Sequence, residues 1–430
     1  MNRKQIELPF GQEEFDRFCE DYYRPIVSSH PHIETVVSKW PRETLIPDFS
    51  DFDGRLIASD DIDRSTWPAV DDLCGRIHRD LIVRHPEWLR ILEHTPGIAI
   101  TWSEIYDEAL YQPETHHWGF FLGNEEEFMR LRNWLDSREW EERDEYYYLN
   151  RFFYYYSPYI HGIDPPTNMG NLADRYAVHS RILHYCVPAL QAALSLIRKK
   201  PVRGKMETIA GWMELRPSDG IFEDFITKIR CRYRCEEAED DAKMLRLEEE
   251  CWKRLQIAMA ELPAVVDVID MKDGAGFEAW KERLATFPEN PLMTIFNGVR
   301  FARIRKGRYW CYLNVPDHFD VSWLIPNEFT WLRRWFTESI FRCYGRLKCG
   351  EDRATLETVL EAMQPDVTDA EGAAAVREVF RIAFADCPKG SEGEPLRTVM
   401  DVFPRYEGVL ESLLEDSLRI QRVQKGDHPR

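Results

Sequence analysis

The stretch Ser50-Asp-Phe-Asp-Gly-Arg-Leu-Ile57 decides how the rest of the chain is interpreted. Asp51 and Asp53 are two positions apart, so on a β-strand both carboxylates would point to one face, with Phe52 turned into a core on the other. Two neighbouring carboxylates repel each other, and a divalent cation between them removes the repulsion. Hard oxygen ligands favour Mg²⁺ or Mn²⁺, and Mg²⁺ often completes its coordination with substrate phosphates. The pair therefore indicates a metal site for phosphate chemistry.

An apolar segment that ends in a small hydroxyl residue, Val36-Val-Ser38, precedes the acidic pair, and 12 residues separate Ser38 from Asp51. This order resembles the signature of polymerase-β-type nucleotidyltransferases, in which an apolar-Gly-Gly/Ser element is followed at a similar distance by Asp-apolar-Asp/Glu. The resemblance implies that Ser38 lies in a turn that holds a triphosphate and that Asp51 and Asp53 bind the metal ions. Val37 stands in place of the family's Gly, and Lys39 and Arg42 are the residues that would compensate.

The third carboxylate of the family normally lies on a later strand, which here is Gly97-Ile-Ala-Ile-Thr-Trp-Ser-Glu-Ile105. The interior of this strand carries no acid, and Ala99 stands where aminoglycoside nucleotidyltransferases have a catalytic base. Glu104, at the end of the strand, is the nearest candidate base, with Asp107 behind it. The alternatives are a solvated strand end for Glu104 and a surface turn for the acidic pair, since further aspartates lie nearby.

A second resemblance lies in the basic segment from Arg198 to Lys205 and the residues after it. It is similar to the helical domain of streptomycin/spectinomycin-type adenylyltransferases, and the matching residues are Val202, Gly204, Lys205, Trp212 and Pro217. The resemblance implies that Lys205 reaches the triphosphate, with Arg203 as a neighbour. The alternative is a basic helix C-terminus that complements the helix dipole. Together the two resemblances span roughly residues 30–225, which is half the chain.

Hydrophobic patterning predicts an α+β fold. Strands are expected over 34–37, 52–58 and 97–102, a helix over 68–84, and a helical entry before Pro25. Together with the resemblance, this predicts a small mixed-sheet nucleotidyltransferase domain (1–123) and a helical-bundle domain that closes over the nucleotide (124–262). A further, mostly helical C-terminal region of unknown role follows (263–430). Within that region, residues 301–313 are interpreted as a short hairpin that turns at Lys306-Gly307.

Composition restricts the partners. The chain has 430 residues and a formal net charge of −19, so binding to nucleic acid is unlikely without a local basic patch, and a cationic small molecule would be attracted. The ten cysteines show no zinc-finger spacing. The absence of a signal-like N-terminus and of a long apolar run predicts a cytoplasmic protein without a membrane segment. Adjacent His116 and His117 are interpreted as a wall of the substrate cleft, because neighbouring side chains point apart.

The sequence therefore predicts an enzyme that uses an NTP and Mg²⁺ (or Mn²⁺) as a nucleotidyltransferase. It would move a nucleoside monophosphate to a hydroxyl or other nucleophile of a small molecule and release pyrophosphate, as in antibiotic modification or natural-product biosynthesis. Two alternatives stay open. One is a toxin-like nucleotidyltransferase that acts on tRNA or protein and contacts it through the basic segments 198–205 and 300–308. The other is a non-catalytic nucleotide-binding regulator.

Overall fold

The structure is a computed structural model. It describes residues 12–39, 52–86, 94–161, 186–215, 290–314, 321–350, 354–363, 367–388 and 390–424, with isolated positions between 217 and 287. The strands are β1 (Ile33–Ser38), β2 (Gly54–Ala58), β3 (Ile98–Thr101) and β4 (Gly119–Gly123). The helices before residue 216 are α1 (Gln12–Ser29), α2 (Trp67–Arg84), α3 (Trp102–Tyr106), α4 (Glu125–Asp136), α5 (Glu142–His161), α6 (Val187–Arg198) and α7 (Gly204–Leu215). Short 3₁₀ helices lie at Arg64–Thr66 and Pro113–His117.

In the C-terminal region, every regular element that the structure describes is a helix. Its helices are α8 (Pro291–Ala302), α9 (Lys306–Asn314), α10 (Val321–Trp331), α11 (Ser339–Cys349), α12 (Leu356–Met363), α13 (Ala370–Phe384) and α14 (Gly393–Gln424). A π-helix, Leu332–Glu338, joins α10 to α11. The fold is thus α+β with a small mixed sheet, as the sequence predicts at this coarse level.

The sheet has the strand order β3-β2-β1-β4, and β1 is antiparallel to both of its neighbours. β2 and β3 run parallel and are connected through α2, which supplies the crossover that parallel strands need. The three expected strands and the helix over 68–84 are confirmed, whereas β4 was not predicted. The first helix continues through Pro25 to Ser29, beyond the predicted end.

Both faces of the sheet are buried. On one face, Val36, Leu56 and Ala99 belong to a core shared with α1 and α2. On the other face, Val37 and Ile57 belong to a larger core that also contains residues of the C-terminal helices. Burial on both faces explains why the central strands carry continuous apolar residues rather than an alternating pattern.

The segment expected to form a hairpin is instead helical, and this prediction was wrong. α8 ends at Ala302 and α9 begins at Lys306, so the turn lies at 303–305. Gly307 is used for a close helix crossing: a Cβ there would lie 2.5 Å from the backbone oxygen of Asp71 in α2, and one on Gly75 would lie 3.0 Å from Gly307 Cα. Gly307, which suggested a turn, therefore allows α9 to approach α2 at Gly75.

Within the described residues, no helix is both long enough and apolar enough to cross a membrane. The predicted boundary at residues 262 and 263 lies outside those residues, so the division into three domains stays a prediction.

Candidate functional site

One end of the sheet gathers polar side chains. β1 ends there at Ser38, which pairs with Gly54 at the start of β2 and with Gly119 at the start of β4. β3 begins at the same end, because Arg55 pairs with Ile98 in the parallel ladder. The residues just outside these strand ends therefore meet in space although they are far apart in sequence.

Asp53 lies at this end, one residue before β2. Its Oδ2 is 3.3 Å from Lys39 Nζ and its Oδ1 is 3.2 Å from His94 Nε2, while the backbone N–H of Lys39 donates to the Asp53 carbonyl at 3.0 Å. Phe52 is buried against Tyr23 and Phe121, as predicted. The structure thus brings the predicted residues Ser38, Lys39 and Asp53 together.

The expected geometry of the acidic pair needs correction. Asp53 precedes the strand, so the same-face rule for strand residues does not apply to it. Asp51 and Arg42 lie outside the described residues. Burial raises the pKa of the Asp53 carboxyl, but Lys39 and His94 outweigh this effect and hold that pKa well below its ordinary value. A cationic neighbour therefore already offsets the charge of this carboxylate.

A second carboxylate, Glu114, lies at the same end of the sheet between two arginines. Arg55 Nη2 is 3.3 Å from Glu114 Oε1, and Arg300 Nη2, from α8, is 3.2 Å from Glu114 Oε2. Burial alone would raise the pKa of Glu114. The charges of Arg55, Arg300, Lys39 and Arg151 have the larger, opposite effect and lower this pKa to about 2. Glu114 is consequently an ionised structural anion and a poor proton acceptor at neutral pH.

Helix α5 contributes Arg151 and the tyrosine rings around it to this cluster. The guanidinium of Arg151 lies 5.8 Å from the ring centre of Tyr147 and 5.1 Å from that of Tyr155, and its Nη1 donates to the Tyr147 hydroxyl. Tyr148 and Phe152 of the same helix are buried, so this aromatic run (146–156) packs into the core. The one cation in the aromatic run thus faces the polar end of the sheet.

Glu104 does not join this cluster. It follows β3, whereas Asp53 precedes the parallel neighbour β2, so the two lie at opposite ends of the sheet. Glu104 forms a capping box with Thr101 and a bidentate ion pair with Arg303, at 2.7 and 2.6 Å. The expectation that Glu104 acts as the base beside the acidic pair is therefore corrected. Its carboxylate caps the N-terminus of α3 and forms an ion pair with the buried Arg303.

The two other predicted phosphate ligands, Arg203 and Lys205, lie at the N-terminal end of α7. Arg203 pairs with Asp136, and its backbone N–H donates to Glu207 Oε2 at 2.8 Å. Lys205 is buried in the first turn of α7. A role for either residue at a triphosphate stays a prediction.

The adjacent histidines are buried and hydrogen-bonded. His116 Nε2 is 2.8 Å from the Tyr111 hydroxyl, and His117 Nε2 is 3.0 Å from the Tyr148 hydroxyl. Burial lowers the pKa of both rings, to about 3 for His116. They are neutral residues that connect the 3₁₀ segment at 113–117 to its surroundings.

The basic segment 300–308 is not a surface patch. Arg300, Arg303, Arg305 and Arg308 are between 1% and 9% exposed. Each pairs with a carboxylate. Arg300 pairs with Glu114, Arg303 with Glu104 and Glu411, and both Arg305 and Arg308 with Glu328. This segment therefore cannot supply the contact surface that the tRNA or protein alternative requires.

Sequence reasoning missed several members of the cluster at the end of the sheet. Arg55 is a charged residue inside an otherwise apolar strand, and Arg151 is the single cation of an aromatic run; both patterns could have identified them. Nothing local distinguishes His94 or Glu114, because their importance comes from partners that are distant in sequence.

Among the described residues, no group of three or more His, Cys, Asp or Glu side chains is placed to hold a metal ion. Comparison with known proteins found no matching family model, no matching curated protein and no matching solved structure.

Proposed function

We propose that the chain is a metal-dependent nucleotidyltransferase that moves a nucleoside monophosphate from an NTP to a small-molecule nucleophile. The observation that carries the proposal is the pairing of Ser38 with Gly54, which puts Ser38, Lys39 and Asp53 side by side. These residues come from two separate motifs of one signature, and the antiparallel pairing of β1 with β2 brings the two motifs together.

The charges at this end of the sheet suit such chemistry. The acceptor oxygen attacks the α-phosphorus and loses its proton to solvent, the bond from the α-phosphorus to the bridging oxygen breaks, and pyrophosphate leaves. Lys39, Arg55 and Arg151 supply positive charge where phosphate oxygens would lie, and arginine and lysine both bind phosphate.

The donor chemistry also suits a divalent metal. Asp53 offers carboxylate oxygens, the ligand type that Mg²⁺ or Mn²⁺ prefers, and its two ion-pair contacts with described residues, Lys39 and His94, use only part of its four lone-pair sites. Asp53 would hold the ion together with Asp51. A bound ion would neutralise phosphate charge and orient the acceptor. Lys39 would then be released from Asp53 to the phosphates.

The decisive experiment measures pyrophosphate release with each NTP and Mg²⁺ against a panel of hydroxylated acceptors, cationic and anionic. Asp53→Asn is expected to lower the rate by about 100-fold or more, the size expected when a group that acts on the transition state is removed. Asp80→Asn, at an exposed position of α2, is the matched control and should keep full activity. Equal rates for the two variants would contradict the proposal.

A second candidate, a non-catalytic nucleotide-binding regulator, is supported by the position of Glu104. With that residue at the opposite end of the sheet, the described residues include no assigned base for the acceptor. This candidate predicts that NTP raises the melting temperature by ligand linkage but yields no pyrophosphate with any acceptor.

A further inference from the structure

The guanidinium of Arg300 is buried with unused hydrogen-bond donors. The residue is 3% exposed, and its Nη2 bonds to Glu114. Its Nε and Nη1 are buried and have no hydrogen-bond partner among the described residues. A guanidinium has five N–H donors, and leaving charged donors unsatisfied inside a protein is costly.

Arg55 faces the same carboxylate from the other side and is also incompletely satisfied. Its Nη1 donates to the Gly54 carbonyl at 3.2 Å and its Nη2 to Glu114, while its Nε has no partner among the described residues. Gly97 leaves room for this side chain, since a Cβ there would lie 2.7 Å from Arg55 Nη1. Each arginine thus gives only one N–H to Glu114, where a bidentate pair would give two.

The cluster carries more positive than negative charge. Among the described residues, the two arginines Arg55 and Arg300 share the single carboxylate of Glu114. Buried charges are stable only when paired and hydrogen-bonded. An excess of buried arginine charge that includes unused donors is the arrangement expected of a site that receives an anion.

We propose that Arg55 and Arg300 form a binding site for an anionic group of a substrate, a phosphate or a carboxylate. The inference rests on the proposed function and deepens it. It assigns to the C-terminal region, through α8, a direct part in substrate binding. The net charge of the chain predicts a cationic acceptor, whereas this cluster selects an anion.

The binding test uses the full-length protein without nucleotide or metal. Calorimetric titrations are made with inorganic pyrophosphate and with succinate, which represent the two anion classes. Wild type is expected to bind at least one of them. Arg300→Met should weaken that binding by about tenfold or more, since hydrogen bonds to charged groups are lost. Arg305→Met removes an arginine that is equally buried but pairs with Glu328 instead of Glu114, so it lies outside the proposed site and should leave the affinity unchanged.

Glu114→Gln provides an independent readout that does not depend on how Arg300→Met folds. The substitution removes the resident carboxylate and frees both guanidinium groups, so anion affinity should rise by about tenfold. A purely structural ion pair predicts the opposite, a less stable protein with no gain in affinity. Absence of anion binding in both wild type and Glu114→Gln would overturn the proposal, as would equal losses in Arg300→Met and Arg305→Met.

Repeating the titrations with saturating ATP and Mg²⁺ distinguishes the two possible sources of the anion. Competition assigns the site to phosphates of the nucleotide, and undiminished binding assigns it to an anionic acceptor. Failure of the proposed function is recognised separately: anion binding would persist while no NTP released pyrophosphate. Pyrophosphate release by a protein in which Arg300→Met changes neither anion affinity nor KM would instead refute the anion site alone.

Discussion

At the scale of single residues, Asp53 shows how neighbours change the meaning of a motif. Viewed as one of two adjacent carboxylates, it is expected to destabilise the apo protein through repulsion. In the structure it is 14% exposed and lies between Lys39 and His94. Attraction to these two neighbours, and not repulsion from Asp51, is therefore expected to determine how Asp53 affects stability.

Asp53→Asn is consequently expected to lower the free energy of unfolding at pH 7 by about 1–3 kcal/mol, the value of hydrogen bonds to charged groups. Because the folded-state pKa lies well below the ordinary 3.8, the contribution is present above pH 3.8 and is lost as the pH falls through the folded-state pKa. Urea unfolding of wild type and variant at pH 7 and at acidic pH measures both effects. A variant as stable as wild type at pH 7 would mean that repulsion dominates.

The contribution of Asp71 to the free energy of unfolding is expected to depend on pH in the opposite direction. Burial raises its pKa to about 8, and the backbone of Gly307 opposes this only in part. An acid that holds its proton more tightly when folded destabilises the fold as the pH rises from about 4 to about 8. A tenfold change in proton affinity is worth about 1.4 kcal/mol, so Asp71→Asn should gain at least about 1 kcal/mol over wild type at pH 8. Thermal unfolding between pH 5 and 8 should show a flatter profile for the variant; parallel profiles would exclude this assignment.

Glu104→Gln separates a structural from a catalytic carboxylate. Removing one member of a buried ion pair costs up to about 3–5 kcal/mol, and Arg303 would lose one of its two bidentate partners while keeping Glu411. The variant should unfold at markedly lower urea concentration while its pyrophosphate release, measured well below the unfolding transition, stays close to wild type. A slow but fully stable variant would restore Glu104 as the base.

These residues show how far the sequence leads toward the site. Spacing identified Ser38, Lys39 and Asp53 because a strand-turn-strand arrangement is local. It could not identify the Arg55–Glu114–Arg300 cluster, since Arg300 is 186 positions from its partner Glu114. It misplaced Glu104 because strand direction in the sheet, and not position along the chain, decides which strand ends meet.

At the scale of elements, the crossing of α2 and α9 depends on two glycines. Periodicity predicted α2 well, because its buried residues recur along one face. The same reasoning failed for α9, where Lys306-Gly307 looked like a turn. Gly307 has no side chain because Asp71 and Gly75 occupy that space, and this information belongs to the packing of two elements rather than to either one.

Gly307→Ala is therefore expected to push the helices apart and to destabilise the protein by about 1–3 kcal/mol, as overpacking does. Gly408→Ala in α14 is the matched control: nothing lies within 4 Å of its added Cβ, so it should be neutral or stabilise by up to about 1 kcal/mol. Urea unfolding of the two variants gives the comparison. Equal stabilities would show that the crossing is looser than described.

At the scale of the whole molecule, the sheet and the C-terminal helices share one core. Val37 and Ile57 belong to the same buried cluster as Leu292 and Leu410. The sequence predicted three regions from hydrophobic patterning and the resemblance, but neither reveals that distant segments complete one another's core.

Leu410→Ala tests this sharing. Truncating a buried leucine costs about 2–5 kcal/mol, and a shared core spreads that loss beyond α14. Hydrogen exchange followed by mass spectrometry should show reduced protection in β2 as well as in α14. Val423→Ala, at a 63% exposed position of the same helix, should change neither. Loss of protection confined to α14 would show that the regions unfold independently.

The shared core also affects how the protein is made. A ribosome adds roughly 5–20 residues per second, so the last strand leaves it roughly 10–30 s before α8 is synthesised. During this interval the face of the sheet that contains Val37 and Ile57 has no α8 to cover it. Exposed apolar surface of this kind favours aggregation. Biosynthesis of this chain is therefore expected to depend on chaperones that hold the nascent N-terminal part until the C-terminal helices arrive.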